Sequence, residues 1–267
     1  MIIDFHTHAF PDNIAKRTVD ALASVSGMTP LTDGTVAGLK KKLDESGVDL
    51  GVVLPVVTRA EQFDTINRFA ASVCETGLIS FGGIHPDDET PEAHVRQIAS
   101  LGLKGIKLHP DYQGTYIDDE RYVRIVCAAL AEGLIVVTHS GVDVGFPGHP
   151  VRCTPERAAR LLDSISDGND ELPIVFAHGG GYAMHAGVMK YLAGRKIYFD
   201  LSMTYKMSNA DEATELVRTH GAERVLLGSD CPWGDPKETA EFVRSLSLTD
   251  YEKDAILCEN AKRLLGI

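Results

Sequence analysis

Positive charge is the first thing this sequence is short of. Its 267 residues carry 26 Lys and Arg against 38 Asp and Glu, a formal net charge of −12. Nucleic acid and anionic membranes need basic patches to meet their phosphates, so the acidic balance argues against both as partners. Long apolar runs are missing as well; none approaches the ~18–20 residues that a membrane span requires. The N-terminus enters an apolar strand pattern at once and carries Asp4 early, unlike a secretory leader. Cysteine is sparse. Cys74, Cys127, Cys153, Cys231 and Cys258 are odd in number, far apart and form no Cys-x-x-Cys. That usage fits reduced thiols in a cytoplasm, not a disulfide framework or a thiolate zinc site. No Gly-x-Gly-x-x-Gly follows the first strand, which counts against an open dinucleotide-binding sheet. No Gly-x-Ser-x-Gly accompanies His178-Gly179-Gly180-Gly181, which removes a serine-hydrolase reading. Those glycines are read instead as allowing close backbone approach near the site.

Hydrophobic residues make up 44% of the chain, enough for a substantial core. They fall into eight short runs, at residues 2–5, 51–57, 78–84, 104–108, 134–138, 173–177, 196–200 and 225–229. Between them lie stretches with helical spacing, such as 35–46, 60–76 and 118–132. Thr90-Pro91, Thr154-Pro155 and Asp235-Pro236 read as helix starts with an N-cap and Pro at the first helical position. Thr249 with Glu252 reads as a capping box. Strands that each need a crossover helix form a parallel sheet. Eight of them without a linker or low-complexity break predict one (β/α)₈ TIM barrel over residues 1–267.

A barrel of this kind places its chemistry at the C-terminal ends of its strands. Six of the ten histidines fall there: His6 and His8 after the first run, then His85, His109, His139 and His178. Asp230 follows the eighth run, and Lys107 lies on the fourth, in phase with His109. His6 and His8 are two apart, so a strand points both to one side. A single His-x-His is weak as a motif, but histidines scattered through a core would not choose one rim. Imidazole and carboxylate donors without thiolate suit zinc, manganese or iron(II). Three histidines and one aspartate would leave a place for water, which such an ion acidifies to a pKa of roughly 7. Asp230 can coordinate and also accept a proton, and His178 can polarise a substrate oxygen or act as acid or base. His85, His109 and Trp233 are further candidates for substrate contact. Arg152 reads as a solvated loop charge. Cys231 adjoins Asp230 but should face the opposite way.

The chain resembles the amidohydrolase superfamily, and within it the compact metal-dependent hydrolases grouped with aminocarboxymuconate-semialdehyde decarboxylase. The residues that carry the resemblance are Asp4-Phe5-His6-Thr7-His8, Gly105-Ile106-Lys107-Leu108-His109-Pro110, Thr138-His139-Ser140-Gly141, Ala177-His178-Gly179-Gly180, Gly228-Ser229-Asp230-Cys231-Pro232-Trp233 and Glu259-Asn260-Ala261-Lys262-Arg263-Leu264. They follow the family's order along the whole chain. The resemblance implies His6, His8, His139 and Asp230 as ligands of one divalent ion, foremost Zn²⁺, with His178 beside the water or substrate. It also implies a small-molecule substrate and, in many members, a homo-oligomer. Some members bridge two metals through a carboxylated strand-four lysine; Lys107 is read here as an ammonium that neutralises carboxylates or meets an anionic substrate. Two activities fit: hydrolysis of an amide, lactone or related carbonyl compound, or non-oxidative decarboxylation of a small carboxylic acid.

Overall fold

The structure is a computed structural model that describes residues 1–166, 168 and 170–267. Its strands are β1 (Ile3–Thr7), β2 (Leu50–Val53), β3 (Ile79–Ser80), β4 (Gly82–Gly83), β5 (Gly105–Leu108), β6 (Ile135–Thr138), β7 (Ile174–Phe176), β8 (Tyr198–Asp200) and β9 (Val225–Leu226). All pairs are parallel, in the orders β1-β2-β3 and β4 through β9. β3 and β4 are the two halves of the third barrel strand, parted at Phe81, whose N–H donates to the Val53 carbonyl at 3.0 Å. Eight barrel positions are therefore occupied, as the sequence predicts. The strand at 51–57 is shorter than predicted, ending at Val53.

The cylinder closes between the last strand and the first. Phe5 N donates to Leu227 O at 2.8 Å, Asp230 N to His6 O at 2.8 Å, and His8 N to Cys231 O at 2.7 Å. Side chains alternate across this wall. Val52, Phe81, Ile135, Val137, Val175 and Leu226 pack together in the barrel interior. Their neighbours Val53, Val136, Ile174 and Val225 pack outward under the helices. The outward shell also takes Cys231, as expected from its phase. β1 departs from strict alternation. Asp4 pairs with Gly51 but Thr7 with Val53, so one extra residue is accommodated between them. Such a bulge re-aims side chains next to a site. Here Phe5 packs with the interior group, while His6 and His8 come together at the rim.

The helix starts follow local capping chemistry. Thr154 accepts from Arg157 N at the head of Pro155–Ile165, and Asp235 from Lys237 N at the head of Pro236–Ser245. Thr249 and Glu252 form the reciprocal capping box. Thr90 is an exception. It precedes helix Pro91–Ser100, yet its side chain caps nothing and its own N–H donates to Asp88 Oδ1 at 2.9 Å. A short helix after β5, Pro110–Gln113, has no counterpart in the sequence reading. Its Gln113 is buried and ties the rim together. Nε2 donates to Val57 O (2.8 Å) and Ile84 O (2.7 Å), while Oε1 accepts from His109 N (2.9 Å) and Tyr122 OH (2.7 Å).

Candidate metal centre and active site

His6 lies in β1 and His8 one residue past it, and their Nε2 atoms stand 3.2 Å apart. Asp230, after β9, brings Oδ1 to 3.0 Å from His8 Nε2 and 3.4 Å from His6 Nε2. The far nitrogens fix the proton positions. His6 Nδ1 contacts Asp200 Oδ2 at 2.9 Å, and His8 Nδ1 contacts the Leu54 carbonyl at 2.9 Å. Both partners are acceptors, so each Nδ1 carries the hydrogen and each Nε2 presents a lone pair. Two lone pairs and a carboxylate thus converge on one point. The Lys107 ammonium approaches one of them, at 3.2 Å from His6 Nε2, and the set of two imidazole lone pairs and a carboxylate fits a divalent metal.

Electrostatics keep the rings in the ligating form. Burial, helped by the neighbouring Lys107 ammonium, draws His6 down to about 4. Burial also lowers His109, His139 and His178. Asp230 is opposed by burial, but the His8 hydrogen bond and the His6 and His8 fields hold it below the usual carboxylate range. Asp200 behaves likewise, through His6, His178 and Ser202. Gly228 lets these groups approach: a Cβ there would lie 2.9 Å from His6 Cβ and 3.2 Å from Asp200 Cβ. In the His178-Gly-Gly-Gly run, by contrast, Gly180 makes room for the Phe199 ring, which belongs to the outward shell.

A hydrogen-bonded chain runs round the floor. Ser202 Oγ donates to Asp200 Oδ1, so it accepts from His178 Nδ1 at 2.8 Å. His178 Nε2 therefore accepts from His139 Nδ1 at 3.0 Å. That leaves His139 Nε2 buried with no hydrogen-bond partner. His139 is not among the three donors that gather at His6; it groups instead with His109 and Asp143. Its ring stacks on His109 with centroids 4.3 Å apart, and His109 Nε2 lies 3.4 Å from Asp143 Oδ2. The four expected ligands are therefore split between two adjacent sets.

The other candidates divide in the same way. Lys107 Nζ stands 3.2 Å from His6 Nε2, almost wholly buried, and burial draws its pKa to about 8 against the fields of Asp200, Asp230 and Asp143. His109, Lys107 and Trp233 line the cavity over the site, which measures about 240 Å³. His85 is not among the lining residues; its Nδ1 accepts from Asp87 N at 3.1 Å, along the rim. Arg152 is not a solvated loop charge. It is largely buried, and its N–H donates to Asp111 Oδ1 at 3.2 Å, with Nη1 at 3.7 Å from the same oxygen. His178 and Asp230 both hold left-handed backbone, at φ 60° and 69°. Such conformations cost of order 1 kcal/mol or more and gather where a strand end must aim a side chain.

Asp200, Ser202, Asp143 and Gln113 were not identified from the sequence. Asp200 ends its strand just as the histidines end theirs, so the same rule could have found it. Asp143 and Gln113 lie beyond strand ends, where periodicity gives no phase.

The amidohydrolase family model matches residues 3–267. The chain belongs to the amidohydrolase family. Solved structures agree in fold. A 2,6-dihydroxybenzoate decarboxylase bound to 2,6-dihydroxybenzoate superposes with a TM-score of 0.75 at 15% identity, covering 100% of this chain and 99% of the other. The 5-carboxyvanillate decarboxylase of Sphingomonas paucimobilis gives 0.72 at 19% identity, over 100% and 99%. A Pseudomonas putida protein proposed to be a 2-pyrone-4,6-dicarboxylic acid hydrolase gives 0.66 at 20%, over 99% and 97%. No curated protein sequence matches the chain. Members of this amidohydrolase superfamily are generally metal-dependent enzymes acting on small molecules. Among the described residues, no helix is long and apolar enough to cross a membrane.

Proposed function

We propose that this amidohydrolase is a metal-dependent hydrolase that adds water to the carbonyl of an amide, lactone or related ester. One observation carries the reading: the lone pairs of His6 Nε2 and His8 Nε2 converge with the Asp230 carboxylate within bonding reach of a single ion. His6, His8 and Asp230 would hold one divalent ion, and nitrogen and carboxylate donors favour zinc among the metals such sites take. When bound, that ion would polarise the carbonyl and make water a nucleophile near neutral pH.

The chain's own groups supply the proton chemistry. Asp230, ionised at neutral pH, accepts a proton from the attacking water. His178 is neutral and buried, with Nδ1–H pinned by Ser202. Its Nε2 accepts from His139 Nδ1 in the resting site, and would exchange that hydrogen bond for a proton that it passes to the leaving group. Lys107 is the one Lys or Arg among the described cavity-lining residues, and it lies where oxyanion charge would build. The lining above the floor is mainly apolar.

A second reading is decarboxylation, in which Lys107 pairs with the substrate carboxylate. The decarboxylase names among the structural relatives lend it support. The two are separated by incubating zinc-loaded protein with lactones and esters on one hand and aromatic or unsaturated acids on the other. The first reading expects ring opening or acid release without carbon dioxide, and a loss of about 10²–10⁴-fold in kcat for His178→Asn. Carbon dioxide release from the acids alone would replace it with the second.

A further inference from the structure

We propose that the outer part of the cavity is a subsite for a linear hydrocarbon tail, which makes the substrate an amphiphile. The carbonyl head would sit on the His and Asp floor, and the chain would run outward along the first helix. The head-group assignment rests on the hydrolase reading above; the tail assignment rests on the cavity walls.

The wall is built by helix Asp12–Ser26. Ala15 and Val19 are its buried residues. A second stripe, Ile14, Thr18, Leu22 and Ser26, recurs every four residues and lines the cavity instead. Residues at i and i+4 share a helix face. At 1.5 Å per residue, this stripe runs for roughly 18 Å. Each of its members is only half-buried, so the face is left partly unpacked by the fold. Other parts of the lining are of the same kind: Met28, Ile66, Phe69 and Trp233 are half-buried and line the same space. At the outer loop, Val142 and Val144 are 36% and 38% exposed.

Charge is sparse in the lining. Among the described lining residues the charged side chains are Lys107, Asp143 and Asp230, with the histidines around them. None lies on the helix stripe. A space of about 240 Å³ lined along one face of that helix suits an extended chain better than a compact dicarboxylate. A dicarboxylate would also need a second cation, which the described lining does not offer. In the reaction, water adds to the carbonyl, the bond from that carbon to oxygen or nitrogen breaks, and the water proton goes to the leaving atom. The tail takes no part beyond binding.

Trp233 is the only tryptophan in the chain and lines the cavity, so its fluorescence reports occupancy without any turnover. The zinc-loaded protein is titrated with saturated monocarboxylates from butanoate to dodecanoate. Affinity should rise about fourfold per methylene, the value of one buried CH₂, and level off once the chain outruns the cavity. Leu22→Asp, and separately Ile14→Ser, should flatten that dependence while circular dichroism shows the fold retained. Affinity that does not change with chain length overturns the proposal. So does sedimentation showing a dimer that Leu22→Asp converts to monomer, since a second copy would then fill the cavity. Should chain-length dependence appear while no carbonyl compound is hydrolysed, the tail subsite stands and the hydrolase reading falls.

Discussion

Replacing Asp200 by Asn tests the proton assignments on which the metal centre depends. Asp200 Oδ1 accepts from three donors: His178 N at 3.1 Å, Ser202 N at 3.0 Å and the Ser202 hydroxyl. An asparagine would keep its carbonyl oxygen at that crowded position. Its NH₂ would then face His6 Nδ1, where the carboxylate Oδ2 now accepts at 2.9 Å. Two N–H groups cannot share a hydrogen bond, so His6 would shift its hydrogen to Nε2 and lose the lone pair aimed at the metal position. Removing such an outer partner typically lowers metal affinity 10–100-fold, or about 1.4–2.7 kcal/mol. The range matches the ~1.5–3 kcal/mol expected of a hydrogen bond to a charged group. The assay is a zinc competition titration of chelator-stripped protein at neutral pH, with circular dichroism to show that the variant is folded. Ser202→Ala, which leaves the carboxylate opposite His6, should weaken zinc less. A folded Asp200→Asn protein with unchanged zinc affinity would mean that His6 Nε2 is not a ligand.

Two further outcomes are expected. Gln113→Leu strands the Val57 and Ile84 carbonyls and the His109 N–H, so thermal unfolding should show a loss of roughly 3–5 kcal/mol. Asp4 is pushed up to about 7 by burial, against hydrogen bonds from Ser229 and His6. A carboxyl raised in the folded state binds its proton more tightly there, so its contribution is complete below the unfolded pKa and is lost as pH rises through about 7. Asp4→Asn fixes the neutral form. In metal-free protein it should therefore be more stable than the parent at pH ~8, by on the order of 4 kcal/mol at most, with the gap closing toward pH ~4. Denaturant titrations at the two pH values measure this; a gap that widens on acidification would refute it.

The barrel was legible because every barrel strand carries an apolar run and most end in a polar side chain. Period-two phase placed His6 with His8 and turned Cys231 outward. It could not supply the bulge in β1, which depends on pairing with β2. Nor could it supply the break at Phe81, past which His85 turns along the rim toward Asp87. His139 shows a different limit. Its position at a strand end was evident, but which ring nitrogen faces which neighbour is set by a chain through His178, Ser202 and Asp200, drawn from two other parts of the sequence. The stripe at 14, 18 and 22 was present as spacing. Only the fold shows that it faces the site rather than the core.

His8 and Asp230 are 222 positions apart, yet their side chains touch across the seam where β9 meets β1. The first and last barrel strands are thus brought together by the groups that would grip the cation. An ion held there acts as a clasp: each tenfold excess of free ion over its dissociation constant adds ~1.4 kcal/mol to the closed form. Activity and the integrity of the ring would then share one fastening, and a chain lacking its final strand would forfeit both at once.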